Sequence, residues 1–244
     1  MNSRTGYGTF GNLSQKYDET RPRIPVEVLG YIADLIPMNA RILDVACGTG
    51  IVTRQFSSLG YCVVGSDVDT QMIEKALSYK DDIEYHVASA DNLPFSEHMF
   101  DAVMVFSAFH WFANQKTVRE MRRVSKKEAP LVIVNREYPK FKEEYLSVIT
   151  PFIKEIFTSV KKQYWPADTL AEYGYTHVRE KIFHISEQIS IANALAYIET
   201  VSLWNLIPLK TKGSARRALL EHFTLCSQNG LVTRDGEIRI ITGI

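Results

Sequence analysis

Short apolar runs rich in β-branched residues alternate with segments of helical periodicity, and this alternation is the strongest constraint on what the chain can fold into. The apolar runs are residues 41–46, 62–67, 84–89, 102–107 and 131–135. Between them, residues 51–59, 69–79 and 114–127 repeat apolar positions at helical spacing. Strands that alternate with helices of roughly 10 to 15 residues require crossover connections, a parallel sheet and helices over both its faces. The pattern predicts a doubly wound α/β fold.

The flanking segments do not follow this rhythm. Residues 1–30 read as an N-terminal arm bearing Pro and Gly, running into an amphipathic helix over 26–35 that Pro37 closes. Residues 31–244 read as the main domain, with a ligand-binding core at about 38–135. After the fifth strand, residues 141–164 and 192–206 are candidate helices, and 177–185 and 237–244 candidate strands. Residues 140–230 therefore read as a helical insertion placed where a substrate pocket could be added.

Composition narrows the partners. Lys plus Arg is 28 and Asp plus Glu is 28, so there is no net charge to collect nucleic acid or anionic lipid. The basic stretch 119–127 interleaves its charges with Met121 and Val124 at helical spacing, which reads as a solvated helix face. The three cysteines, Cys47, Cys62 and Cys226, lack C-x-x-C spacing, and the six histidines show no H-E-x-x-H spacing. Neither a disulfide framework nor a metal site is expected. With no apolar run of signal or membrane-span length, the expectation is a cytoplasmic protein without membrane or nucleic-acid partners, a monomer or homodimer.

The chemistry concentrates in Ile42-Leu43-Asp44-Val45-Ala46-Cys47-Gly48-Thr49-Gly50, a strand running into a glycine turn that opens a helix. Such a turn lets a ligand approach the backbone, and the helix N-terminus offers free N–H groups to an anion. Asp67 closes the second strand 23 positions beyond Asp44, where an acid accepts from ribose hydroxyls. A dinucleotide fingerprint requires a third glycine where Thr53 stands, and a Walker loop requires a lysine that Gly48-Thr49-Gly50-Ile51 does not supply.

These residues resemble motif I of the class I S-adenosylmethionine-dependent methyltransferases, D/E-x-G-x-G-x-G, with Ala46 in place of the first glycine. The likeness continues through Val64-Gly65-Ser66-Asp67-Val68-Asp69 with Met72, and through Ser89-Ala90-Asp91-Asn92-Leu93-Pro94-Phe95. The run Ser107-Ala108-Phe109-His110-Trp111-Phe112 is similar to the type 11 methyltransferase group, including its trans-aconitate methyltransferase-like small-molecule branch. A looser likeness reaches Tyr17-Asp18-Glu19-Thr20-Arg21-Pro22.

The resemblance implies a Rossmann-like, seven-stranded, mostly parallel sheet that binds S-adenosyl-L-methionine and methylates a small-molecule acceptor by in-line displacement. It implies cofactor contacts from Asp44 (ammonium), the Gly48 to Gly50 backbone (carboxylate), Asp67 (ribose), Asp91 with Val68 and Leu93 on its faces (adenine), and from Ala46, Ala90, Asn92, Ser107 and Trp111. His110 is the candidate base, and Tyr17, Arg21 and Arg136 are candidate substrate contacts, with Tyr7 as a further arm residue able to close over the cofactor. Two other readings stay open from sequence: a non-catalytic S-adenosylmethionine-binding regulator, and a nicotinamide-dependent oxidoreductase.

Overall fold

A computed structural model describes residues 13–153 and 166–244. In chain order the helices are α1 (Ser14–Thr20), α2 (Val26–Ala33), α3 (Ile51–Ser58), α4 (Thr70–Leu77), α5 (Gln115–Val124), α6 (Pro139–Ile149), α7 (Pro166–Glu172), α8 (Ile191–Ile198) and α9 (Leu209–Cys226). The strands are β1 (Arg41–Val45), β2 (Cys62–Asp67), β3 (Glu84–Val87), β4 (Ala102–Phe106), β5 (Leu131–Glu137), β6 (Arg179–Ser190) and β7 (Leu231–Gly243). They form one seven-stranded sheet in the order β3-β2-β1-β4-β5-β7-β6. The first five strands are parallel, with Asp44 opposite both Gly65 and Met104. β7 is antiparallel, so the sheet is mixed, and helices cover both faces.

The order reverses between β1 and β4, because β1 has β2 on one side and β4 on the other. Ligands of open α/β sheets bind at that switch point, beyond the carboxyl ends of the strands. Period-two alternation explains the burial around it. Leu43, Val45, Val103, Val105, Leu131 and Ile133 join Val118, Met121 and Val124 of α5 in one buried cluster. Asp44 lies between Leu43 and Val45 in β1 and so points to the opposite face, where α3 supplies Thr53.

The chain divides into two compact units. Over the described residues the first comprises 13–21, 137–153 and 184–237, and the second 22–136, 166–183 and 238–244. The second unit holds the parallel strands and their core. The first is largely helical, built on Tyr138, Phe141, Tyr145, Leu195, Trp204 and Phe223, with the rings of Phe141 and Phe223 stacked at 5.6 Å. The region expected as one arm, residues 1–30, contributes α1 to the first unit and α2 to the second.

Sequence periodicity located α3, α4 and α5 to within a few residues and missed α9. That helix carries Gly213, opens behind Pro208, and buries only Ala215, Leu219 and Phe223, a stripe one residue wide. β7 begins six residues before the predicted strand and runs extended through Asp235 and Gly236. A Cβ on Gly236 would lie 2.2 Å from the Glu137 carbonyl oxygen, so glycine there permits close backbone approach. The helix expected over 192–206 divides into α8 and a 3₁₀ turn at Ser202–Leu206.

Candidate functional site

The second unit brings the strand-end residues of β1, β2 and β4 to one edge. β1 leaves the sheet through Ala46, which adopts φ 59°, followed by Gly48 at φ 57° and Gly50 at φ 76°. Three left-handed residues within five turn the chain sharply into α3. The first of them is the position where the sequence departs from glycine, and alanine there carries the strain that a Cβ brings at positive φ. Gly50 is the N-cap of α3, and the first-turn N–H groups behind it lack intrahelical acceptors by helix geometry.

Asp44 is 1% exposed. Its Oδ2 accepts from Thr53 Oγ1 at 2.7 Å, while Oδ1 is buried with no hydrogen-bond partner among the described residues. Burial, with a smaller contribution from the Asp67 charge, pushes its carboxyl up to about 7, against the pull of the Thr53 hydrogen bond. Asp67 accepts from the Gly48 N–H through Oδ2 at 2.9 Å and from the Asp69 N–H through Oδ1 at 2.9 Å. Burial also raises its pKa. The Gly48 N–H is thus spent on Asp67, and any anion received at this turn must use the N–H groups at the start of α3.

Two residues that sequence reading did not place complete the turn. Thr53, recognised in the sequence only as a missing glycine, orients Asp44. Tyr85 of β3 lies against the turn: a Cβ at Gly50 would stand 2.6 Å from its hydroxyl oxygen, and one at Gly65 2.6 Å from its Cδ1 and 2.9 Å from Cys47 Sγ. The signal available in the sequence was the pair of glycines, which two-residue alternation in β3 could have matched to an inward-facing ring. Burial pushes the Cys47 thiol well above its ordinary range, so it is protonated and unreactive.

The other predicted residues fall as follows. Val68 is 56% exposed, directly after Asp67. Ala90, Asp91 and Asn92 form a tight turn after β3, with the Asn92 N–H on the Ser89 carbonyl. Asp91 accepts from Ser89 Oγ at 2.7 Å and from Lys116 Nζ at 3.0 Å, and these two partners hold its pKa below the usual carboxylate range. Leu93 is 4% exposed and belongs to the buried cluster on the sheet. Ser107 follows β4 at φ 51°, its N–H on the Val134 carbonyl at 2.7 Å. His110 and Trp111 are exposed on the 3₁₀ turn Phe109–Trp111, their rings 4.9 Å apart.

Arg136 donates to the carbonyls of Pro22 and Arg23 at 3.2 and 2.8 Å, which fastens the segment before α2 to the end of β5. Tyr17 and Arg21 belong to the first unit, where Arg21 lies over the Tyr17 and Tyr197 rings. Tyr7 lies outside the described residues. Among the described residues no cluster of His, Cys, Asp or Glu could hold a metal ion, and no helix is long and apolar enough to cross a membrane.

The arrangement fits a zwitterionic nucleoside ligand on three counts. An orphaned buried carboxylate oxygen at Asp44 asks for a cation, the α3 N-terminus asks for an anion, and a strand-end acid at Asp67 faces them from the next strand. The Asp44 titration makes a testable consequence. An unfolded carboxyl titrates near ~3.9, so the folded chain holds an extra proton between about pH 4 and 7 and loses stability as pH rises through that window. A cationic ligand group favours the ionised carboxylate, so affinity for S-adenosylhomocysteine is expected to tighten from pH 5.5 to 7 and level off above it, with net proton release below 7. Calorimetry in buffers of different ionisation enthalpy reads this release, which Asp44→Asn should abolish.

Residues 43–133 match the family described as Methyltransferase domain. The chain is 34% identical over 169 residues to a demethylmenaquinone methyltransferase of Thermotoga maritima, covering 61% of this chain and 72% of that protein. Among solved structures it resembles a putative type II methyltransferase from Anaeromyxobacter dehalogenans, with TM-score 0.66 and 18% identity over 91% of this chain and 96% of that one. It also resembles a phosphoethanolamine N-methyltransferase 2 of Haemonchus contortus in complex with phosphomonomethylethanolamine and S-adenosylhomocysteine. There the TM-score is 0.58 at 18% identity, covering 99% of this chain and 58% of that one.

Proposed function

From a chain that belongs to the class I S-adenosylmethionine-dependent methyltransferases, with S-adenosylmethionine as methyl donor, we propose an enzyme that methylates a small-molecule acceptor by direct in-line displacement. The observation that carries the cofactor assignment is the orphaned Asp44 Oδ1 beside the glycine turn. Neutral composition and the demethylmenaquinone methyltransferase relative support a small acceptor over nucleic acid. Likeness of the arm and of the Ala108–Phe112 run supports the trans-aconitate methyltransferase-like branch.

The donor supplies an activated methyl group on a sulfonium centre, so the chain needs no nucleophile of its own. Its residues bind, orient and exclude water. In this reading Asp44 receives the ammonium, the N–H groups at the start of α3 receive the carboxylate behind the turn that Ala46, Gly48 and Gly50 make, and Asp67 holds the ribose hydroxyls. Val68, Ala90, Asp91 and Asn92 line the adenine, with Ser107 and Trp111 beside the β4 end. His110, exposed at that same edge, accepts a proton from a hydroxyl or amine acceptor.

Titration with S-adenosylmethionine and S-adenosylhomocysteine, followed by an acceptor screen with labelled methyl donor, tests the proposal. Micromolar binding to the folded chain is expected. Its absence would overturn the site. With an acceptor in hand, His110→Ala is expected to slow transfer by on the order of 10²- to 10⁴-fold while leaving S-adenosylhomocysteine affinity almost unchanged. Equal loss in both would assign His110 a structural role.

A further inference from the structure

The glycine turn of the second unit is also held by a side chain of the helix it opens. Thr49, 1% exposed, stands between Gly48 and Gly50, one residue ahead of the α3 N-cap. The Arg54 N–H donates to the Gly50 carbonyl at 2.9 Å, which begins the intrahelical ladder. Helix geometry therefore provides no donor for the carbonyl one residue earlier. Arg54 supplies it, since its Nη1 donates to the Thr49 carbonyl at 2.7 Å. One residue of α3 thus grips two successive carbonyls of the turn, one through its backbone and one through its guanidinium.

The guanidinium is itself held in place. Its carbon lies 3.7 Å from the centre of the Tyr79 ring, just beyond α4, and Lys75 Nζ lies 4.8 Å from the same ring. The ring quadrupole attracts a cation over its face, and the planar guanidinium stacks there without giving up its N–H groups. Arg54 also interacts electrostatically with the Tyr85 hydroxyl, where its charge works against the rise that burial brings. Tyr85 pairs with Gly65 in the sheet, and its hydroxyl fills the space a Cβ at Gly50 would need. The turn is fixed between this ring at Gly50 and a charge-assisted hydrogen bond at Thr49.

A backbone with left-handed residues at Ala46, Gly48 and Gly50 persists only where its surroundings over-determine it. Hydrogen bonds from a guanidinium are roughly twice as strong as neutral ones, so the Arg54 contact is a strong tether for its size. It acts on the peptide group that joins Thr49 to Gly50, the last one before α3. Rotation of that group redirects the N–H at the mouth of the helix. We infer that Arg54 is a positioning residue of the methyl-donor site: its hold on the Thr49 carbonyl aims the first-turn N–H groups of α3 at the cofactor carboxylate. The inference rests on the cofactor placement proposed above, and Arg54 acts through the turn rather than by touching the cofactor.

The full-length protein is titrated calorimetrically with S-adenosylhomocysteine and with 5′-methylthioadenosine, which keeps the adenosine and the thioether but lacks the amino-acid end. Arg54→Met keeps most of the stem and removes the charge and the N–H groups. It should weaken S-adenosylhomocysteine binding at least tenfold and 5′-methylthioadenosine binding less than twofold, because only the former uses the α3 N-terminus. Arg54→Lys restores a charged hydrogen-bond donor and should bring S-adenosylhomocysteine affinity back to within threefold of wild type. A cooperative thermal transition verifies that the variants fold. Should Arg54→Met not fold, Tyr79→Leu replaces it by removing the ring over the guanidinium, with at least threefold weaker S-adenosylhomocysteine binding expected. Unchanged S-adenosylhomocysteine affinity in a folded variant, equal weakening of both ligands, or no recovery in Arg54→Lys would overturn the role of Arg54 and leave the cofactor site standing. Failure of the wild type to bind S-adenosylhomocysteine would overturn the cofactor site, and the role of Arg54 with it.

Discussion

Replacing Gly50 by alanine is expected to lower stability by about 2–4 kcal/mol and to abolish measurable S-adenosylmethionine binding. Two independent effects add. Gly50 holds φ 76°, which disfavours any residue with a Cβ, and that Cβ would stand 2.6 Å from the Tyr85 hydroxyl oxygen and 3.0 Å from its Cε1. Tyr85 must swing away, or the turn must open and misdirect the α3 N-terminus. Denaturant unfolding of Gly50→Ala and of Gly50→Ala with Tyr85→Ala separates the two. The double variant should recover the part due to the clash and keep the part due to φ. Additive losses in the pair would show that Tyr85 does not press on the turn.

Asp67→Ala is expected to weaken S-adenosylhomocysteine binding by about 1–3 kcal/mol, on the order of 5- to 150-fold, through loss of charge-assisted hydrogen bonds. The carboxylate holds both the Gly48 and the Asp69 N–H groups, so the variant also loosens the glycine turn from β2. A further signature follows from electrostatics. The Asp67 charge is one reason the Asp44 carboxyl is raised to about 7. Removing it should move the pH at which cofactor affinity levels off to lower values. Affinity within twofold of wild type, with no change in that pH, would remove Asp67 from the site.

The parts of the fold legible in sequence were those whose physics is local. β1, β2, β4 and β5 announce themselves because a strand buried on both faces is mostly apolar, and α3 to α5 because each buries one face at helical spacing. α9 was illegible because its buried stripe, Ala215, Leu219 and Phe223, is too narrow to show against polar neighbours and an internal glycine. β7 was cut short because Asp235-Gly236 has turn chemistry, overridden by pairing in the sheet and by the close approach of the Glu137 carbonyl to Gly236.

The candidate site divides the same way. Sequence by itself determined the glycine turn, the strand-end acids Asp44 and Asp67, and thereby the nucleoside-binding class, because backbone conformation and strand-to-helix succession are written into neighbouring residues. Only the tertiary structure decided that the Gly48 N–H is spent on Asp67, that Thr53 orients Asp44 and leaves its other oxygen without a partner among the described residues, that Tyr85 fills the space two glycines leave, and that Arg21 meets Tyr197, 176 positions away. Each of these depends on which distant groups share a low-dielectric space. Burial sets the cost of an unpartnered charge, and burial belongs to the packed chain rather than to any segment of it.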